Sequence, residues 1–176
     1  MRFFFFGLLR DRDILELVLG RPAQRWPLPC ARLAGFRLVR LRGDSFPLLL
    51  PAPGGAVEGI VVEDFAEAEL DRLHFFESVE YAPRPVHVEL AEGGMTEAHI
   101  FAATERAHHD DEEWHFEDWL ARHKARDLRE SELWMALYGH LSIAEADRLW
   151  DEALAEGRSL EDVVGEVLGA PCGART

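Results

Sequence analysis

Residues 3–10 read Phe3-Phe4-Phe5-Phe6-Gly7-Leu8-Leu9-Arg10, an unbroken aromatic run followed by a glycine and two leucines. An apolar run without polar alternation is typical of a strand that is buried on both faces. Gly7 ends the run, because glycine adopts backbone conformations that other residues avoid. We therefore predict a buried strand over Phe3–Phe6 that breaks into a loop. A helix over Asp11–Leu19 follows, with Gly20 as its stop.

The composition is that of one ordinary globular unit. The chain has 176 residues, of which 48% are hydrophobic, so it can bury a core without a disulfide or a metal. Its net charge of -14 repels phosphate backbones and anionic lipid surfaces. Neither nucleic acid nor a membrane is therefore an expected partner. The two cysteines, Cys30 and Cys172, have no spacing pattern, which favours a reducing, cytoplasmic location.

Three more stretches have strand character. Ala31–Arg42 alternates between apolar residues and arginines and contains Gly35, which predicts one strand with a bulge or two short strands. Pro47–Leu50 and Val57–Val62 are predicted as separate strands, because the turn-forming residues Pro51–Gly55 lie between them.

The middle of the chain adds a helix and a hairpin. Gly59 lies within a predicted strand, and a glycine in such a place marks close approach by another backbone or a ligand. The capping-box pattern of Asp64–Glu67 predicts a helix start, and Phe75–Tyr81 is expected to leave that helix. Val86–Leu90 and Glu97–Phe101 predict a β-hairpin around two glycines.

Beyond Ala103 the sequence becomes polar and then helical. His108–Glu113 is expected to be a linker, and its adjacent histidines lack the fixed spacing of a metal site, so no metal and no cofactor are expected. Apolar residues at helical spacing then predict helices, with caps at Ser142 and Ser159. The tail Gly169–Thr176 is expected to be frayed.

The predicted fold class is α+β: a small mixed sheet or barrel with one or two helices, followed by a helical C-terminal segment. We expect residues 1–104 to form the first unit and residues 105–176 to be a helical extension packed on it. Four of the five tryptophans lie in or next to the extension, where they would cover the sheet or contact a second subunit. The sequence is therefore compatible with a homodimer and does not decide whether one forms.

The order of several motifs resembles the gamma-glutamylcyclotransferase-like (AIG2-like) family. Phe6–Arg10 resembles the family's Tyr-Gly-Ser/Thr-Leu-Arg motif after its first strand, and Val57-Glu58-Gly59 resembles its Val-x-Gly strand. Asp71–Glu77 resembles the family's Asp-x-Phe-Glu-Gly segment, and Tyr81 its nearby tyrosine. The resemblance covers residues 3–101.

This resemblance implies a cyclising acyl transfer on a small gamma-glutamyl amine or peptide. The substrate's own α-amine attacks its side-chain carbonyl, and 5-oxoproline and a free amine are released. Glu77 matches the family's catalytic glutamate, which would act as general base, and Glu80 is the alternative base. Gly7-Leu8-Leu9 matches the loop whose backbone N–H groups would stabilise the oxyanion.

Four more residues complete the expected substrate site: Phe6, Gly59, Arg10 and Tyr81. The Tyr81 hydroxyl would orient the substrate or Glu77, and Arg10 would hold a substrate carboxylate or pair with a neighbouring aspartate. Phe6 and Leu8 stand where the family has hydroxyl-bearing residues. Their loss favours an alternative function, a non-catalytic small-metabolite binding or interaction module on the same fold.

Overall fold

The computed structural model describes residues 1–22, 28–103 and 108–169. Strands in this part of the chain are β1 (Phe3–Phe5), β2 (Cys30–Leu41), β3 (Pro47–Val62), β4 (Tyr81–Leu90), β5 (Met95–Ala103) and β6 (His109–Glu113). Helices are α1 (Arg12–Leu19), α2 (Glu67–Glu77), α3 (Phe116–Arg122), α4 (Lys124–Ala136), α5 (Ile143–Glu156) and α6 (Leu160–Leu168). The predicted α+β class is therefore confirmed. The expectation of a frayed tail falls on residues 170–176, outside the described ranges.

Five strands close into a barrel in the order β3-β1-β5-β4-β2, because β2 also pairs with β3. Strand β1 lies between antiparallel β3 and parallel β5. Side chains alternate along a strand, so Phe4 and Phe6 pack with residues of β2 to β5, whereas Phe3 and Phe5 pack with the helices. All four rings are buried. The aromatic run is a strand buried on both faces, as predicted.

The prediction of a turn at Pro51–Gly55 between two strands is wrong, because β3 runs through this segment. The register of the β2–β3 ladder shifts between Ala34 and Phe36, so the extra residues of β3 form a bulge. Gly35 and Gly54 both have φ of 85°, the left-handed conformation that favours glycine. These glycines bend the paired strands rather than ending them, which confirms the bulge predicted for β2.

Helix α2 begins and ends later than predicted. Its N-cap is Ala66, whose N–H donates to the Glu69 carboxylate at 2.8 Å, so the predicted cap at Asp64 is wrong. Asp64 has φ of 62° and precedes the helix. The helix also continues to Glu77, because buried Phe75 keeps its last turn packed against the core.

The predicted linker His108–Glu113 is mostly a strand. Residues His109–Glu113 form β6, which pairs antiparallel with β2 beside its end at Leu41. Arg40 of β2 pairs with Glu112 at 2.7 Å and so offsets the acidic charge of this edge strand. A run of charged residues has no apolar alternation, which is why a strand was not predicted here.

The C-terminal helices follow the predicted caps. Ser142 accepts from the Glu145 N–H at the start of α5, and Ser159 accepts from the Asp162 N–H at the start of α6. Side chains of these helices join those of β1, α1 and α2 in one apolar core. The boundary between residues 1–104 and 105–176 stays a prediction. None of the described helices is both long and apolar enough to cross a bilayer.

Candidate functional site

A cavity of about 1430 Å³ opens where the end of β1 meets the C-terminal end of α2. Its inner wall comes from the loop after β1, the β2–β3 connection and the turn that joins α2 to β4. Its outer wall comes from α4 and α5.

Glu77 is the last residue of α2 and lines this cavity. Its carboxyl group has no hydrogen bond or ion pair with any described residue. Burial raises the pKa of Glu77 from its ordinary 4.5 to about 8. A carboxyl group with a pKa near neutrality can accept and return a proton, which is what general acid–base chemistry requires.

Tyr81, the first residue of β4, lines the same cavity four residues after Glu77. Burial raises the pKa of the Tyr81 phenol, and the negative charges of Glu77, Glu80 and Asp44 raise it further. The phenol therefore stays protonated and can donate a hydrogen bond into the cavity.

The loop after β1 offers backbone donors. It folds as a short 3₁₀ turn, in which the Arg10 N–H donates to Gly7 O at 3.0 Å and the Asp11 N–H donates to Leu8 O at 2.9 Å. Within the described residues, the N–H groups of Gly7, Leu8 and Leu9 have no backbone partner. The side chains of Leu8 and Leu9 are buried in the core, so the sequence holds the backbone of this loop in place.

Gly7 is required by close packing. A Cβ atom at Gly7 would lie 2.7 Å from Cγ of Pro47, at the start of β3. Pro47 is buried and its ring is stiff, so it cannot move aside easily. The contact fixes the loop against the β2–β3 connection, and both segments line the cavity.

Two of the predicted substrate residues do not line the cavity. The Arg10 guanidinium lies over the Phe116 ring, 4.3 Å from its centroid. A Cβ at Gly59 would collide with the carbonyl oxygen of Phe5 and lie 2.6 Å from the Phe4 ring. Gly59 therefore allows the close approach of β1 and β3. Of the two predicted reasons for this glycine, a neighbouring backbone or a ligand, the structure shows the first.

The sequence analysis did not predict that residues of α4 and α5 form one wall of the cavity. Arg126, Glu130 and Trp134 follow one another at intervals of four residues and so lie on one face of α4. Asp147 of α5 accepts from the Val79 N–H at 3.3 Å, close to Glu77 in the chain. Spacing by four residues is also common on solvated helix faces, so the sequence alone could not assign this face to a cavity.

The cavity is acidic. Its described lining includes the carboxyl groups of Asp44, Glu77, Glu80, Glu130, Asp147, Asp151 and Glu152, but only two arginines, Arg126 and Arg148. Burial raises the pKa of Glu130 and of Asp147, and this rise is partly offset by the Arg126 guanidinium at Glu130 and by the Val79 N–H at Asp147. A ligand that carries a carboxylate therefore needs a specific donor here.

Comparison with known proteins identifies the fold and the family. The pattern of the family described as "Gamma-glutamyl cyclotransferase, AIG2-like" matches residues 3–121. AIG2-like protein C of Arabidopsis thaliana is 31% identical over 128 residues, which are 69% of this chain and 70% of that protein.

Solved structures also resemble the chain. A solution structure from Arabidopsis thaliana has a TM-score of 0.54 and 26% identity over 73% of this chain and 86% of its own. A structure described as Gamma-glutamyl cyclotransferase has a TM-score of 0.50 and 16% identity over 94% of this chain and 98% of its own, which is a likeness of fold alone. The family match extends from β1 through α3 and so includes the loop after β1, Glu77 and Tyr81. The chain therefore belongs to the Gamma-glutamyl cyclotransferase, AIG2-like family.

Proposed function

We propose that this protein is a cyclotransferase, which converts a small gamma-glutamyl amine or peptide into 5-oxoproline and a free amine. The observation that carries the proposal is Glu77, an unpaired carboxyl group with a pKa near 8 in the same cavity as the backbone donors of Gly7–Leu9. The proposal includes a cytoplasmic location, which the unpatterned cysteines favour.

In the proposed reaction, the nitrogen of the substrate's α-amine attacks the carbonyl carbon of its own side-chain amide. Glu77 takes the proton from this nitrogen as the new C–N bond forms. The carbonyl oxygen becomes an oxyanion, which the N–H groups of the Gly7–Leu9 loop stabilise. Glu77 then gives the proton to the leaving nitrogen, the original amide C–N bond breaks, and the carboxylate is regenerated.

The cavity suits this reaction because a ring closure within one substrate needs positioning more than it needs extra reactants. The Tyr81 hydroxyl supplies a further donor, which would orient the substrate or Glu77. Glu80 is exposed, so its carboxylate lacks the burial that brings the pKa of Glu77 into the working range. Glu77 is therefore the better base of the two.

A second candidate function is binding without turnover. The observation that favours it is the apolar character of two positions: Phe6 and Leu8 are both buried and supply no hydroxyl to the wall. The cavity would then hold a small metabolite without converting it. In either case the backbone of the loop after β1 contacts the ligand.

The test is release of 5-oxoproline by the full chain from a panel of gamma-glutamyl amides and dipeptides. We expect turnover by the wild type and a loss of about 100-fold or more in E77Q, because a general base contributes 10²–10⁴-fold. E80Q separates the two carboxylates: a collapse in E80Q with full activity in E77Q would move the base to Glu80. Metabolite binding in thermal-shift assays without any product would support the second function.

A further inference from the structure

The proposed substrate has three polar groups close together: the γ-carbonyl, the α-amine and the α-carboxylate. The Gly7–Leu9 loop and Glu77 account for the first two. The α-carboxylate would enter an acidic cavity, where an unpaired carboxylate is strongly disfavoured. A cationic donor is therefore needed, and Arg10 does not line the cavity.

Arg126 of α4 is a cavity-lining cation that is held in place from behind. Its Nε donates to Oδ1 of Asp127 at 2.9 Å, and its Nη2 donates to Oγ of Ser45 at 2.8 Å. Its Nε also lies 3.7 Å from Oε1 of Glu130, one turn further along α4, whereas its Nη1 has no hydrogen-bond partner among the described residues. One edge of the guanidinium is thus fixed by the protein, while the remaining donor is available to a ligand.

The groups that hold Arg126 are themselves buried and bonded. Asp127 is fully buried and also accepts from the Trp119 indole N–H at 2.7 Å and from the Ser45 hydroxyl. The carbonyl of Ser45 accepts from the Trp114 indole N–H at 2.7 Å. Such a network positions the guanidinium before any ligand arrives, which lowers the entropic cost of binding.

The same network places Arg126 beside the loop after β1. Ser45 is two residues from Pro47, and Pro47 packs directly against Gly7. The β2–β3 connection therefore contacts Arg126 at one end and the loop at the other. Arg126 and the Gly7–Leu9 loop therefore line the same cavity on either side of this connection.

Arg148 is the other arginine in the described lining, and it is less suited. Its Nη1 donates to both carboxylate oxygens of Glu152, at 2.8 and 3.0 Å, one turn further along α5. This pair lies on the outer wall that α5 forms, and no buried group fixes it. Substitution of Arg148 is thus the control for substitution of Arg126.

We propose, on the basis of the proposed function, that Arg126 binds the α-carboxylate of the gamma-glutamyl group. Arg126 is then the residue that selects α-amino acids over amines of the same length. It lies in α4, beyond the residues that match the family. The specificity for substrates that carry an α-carboxylate therefore comes from a residue of the C-terminal helices.

Calorimetric titration of the full chain with two lactams tests the proposed role of Arg126. 5-Oxoproline carries the carboxylate, and 2-pyrrolidinone is the same ring without it. We expect the wild type to prefer 5-oxoproline, and R126Q to lose about 10- to 100-fold in affinity for 5-oxoproline, the value of a hydrogen bond to a charged group. Affinity for 2-pyrrolidinone should change less than about twofold, since that ligand makes no contact with the guanidinium.

Turnover assays independently compare substrates with and without the α-carboxylate. The substrates are a gamma-glutamyl anilide and the matching 4-aminobutanoyl anilide, which lacks the carboxylate. We expect R126Q to lower kcat/KM for the first and not for the second, and R126K to show a smaller loss because it keeps the charge with fewer fixed donors. Should R126Q fail to fold, R126K carries the comparison, with thermal unfolding as the check.

Three results would overturn the assignment: a wild type that does not distinguish the two lactams, R126Q with an unchanged preference, or the loss of preference in R148Q instead. If the wild type turns over gamma-glutamyl substrates while any of these holds, only the role of Arg126 is wrong. If the wild type neither turns over a gamma-glutamyl substrate nor binds 5-oxoproline, the proposed function is wrong as well.

Discussion

The indole N–H of Trp134 in α4 donates to the carbonyl oxygen of Phe75 in α2 at 2.9 Å, and the two aromatic rings lie 5.2 Å apart. Phe75 is two residues before Glu77. The last turn of α2, where carbonyl groups lack partners within the helix, is thus completed by a residue of the C-terminal helices.

Replacing Trp134 with Phe removes this hydrogen bond and leaves the Ser78 N–H, at 3.3 Å, as the remaining donor to the Phe75 carbonyl. We expect W134F to lower the free energy of unfolding by about 2 kcal/mol, from a lost buried hydrogen bond and a smaller ring. We also expect kcat/KM to fall, because the end of α2 would no longer hold Glu77 as firmly. Denaturant unfolding and the 5-oxoproline assay measure the two effects.

The matched control is W150F. The Trp150 ring packs edge-on against Trp134, with centroids 5.3 Å apart, but it has no hydrogen bond to α2. W150F should therefore cost stability with a smaller effect on kcat/KM. Equal losses of kcat/KM in the two variants would contradict a specific role for the bond between Trp134 and Phe75.

The pKa of Glu77 sets the expected pH dependence of activity. A general base must be ionised before it accepts a proton, so kcat/KM should rise with pH and level off above a midpoint near 8. Rates measured between pH 6 and about 9.5 would define this midpoint. A profile that is already level at pH 6 would mean that a carboxylate other than Glu77 is the base.

The same shift predicts how stability changes with pH. Between the ordinary pKa of 4.5 and about 8, folded Glu77 keeps a proton that the unfolded chain has released. The contribution of Glu77 to the free energy of unfolding is therefore fully present below pH 4.5 and decreases as the pH rises through that window. E77Q should be less sensitive to pH over this range in denaturant unfolding. An identical pH dependence in the wild type and E77Q would show that Glu77 is not buried enough to shift.

Gly7 and Pro47 should behave as a coupled pair. G7A brings a methyl group 2.7 Å from Cγ of Pro47, so we expect a loss of about 2 kcal/mol in stability and weaker substrate binding. In the double variant G7A/P47A the obstructing ring is absent, and part of the loss should be recovered. A double-mutant cycle by denaturant unfolding measures the coupling. Additive losses would mean that the contact does not hold the loop.

Ser78, directly after Glu77, has φ of 60° and ψ of -167°, a region that is essentially restricted to glycine. We expect the free energy of unfolding of S78G to be about 1 kcal/mol higher than that of S78A, because both lose the Ser78 hydroxyl and only S78G relieves this strain. S78A is the control: it keeps the strain and loses the hydrogen bond in which the Ser78 hydroxyl accepts from the Glu80 N–H at 3.2 Å. Lower stability in S78G than in S78A would contradict the strained conformation.

The local features were predictable because their causes lie within a few residues. The aromatic run predicts β1, since a strand buried on both faces needs apolar side chains in both directions. The Ser142 and Ser159 caps predict the starts of α5 and α6, since a cap bonds a backbone group three residues away. The family motif around Gly7 and Glu77 indicated a site for the same reason.

The features that were not predictable depend on residues far apart in the chain. Residues His109–Glu113 form a strand only because β2 offers them an edge and basic side chains. The family motif singled out Arg10 as a substrate residue, whereas nothing in the sequence singled out Arg126. Phe116 keeps the first out of the cavity, and Ser45 and Asp127 hold the second at its wall.

The sequence by itself thus determined most of the strands, the caps of the last two helices, the family resemblance and the residue proposed as base. Only the tertiary structure decided which charges share the cavity with Glu77 and what raises its pKa. Local structure follows from neighbouring residues, whereas burial and electrostatic coupling depend on which distant segments pack together.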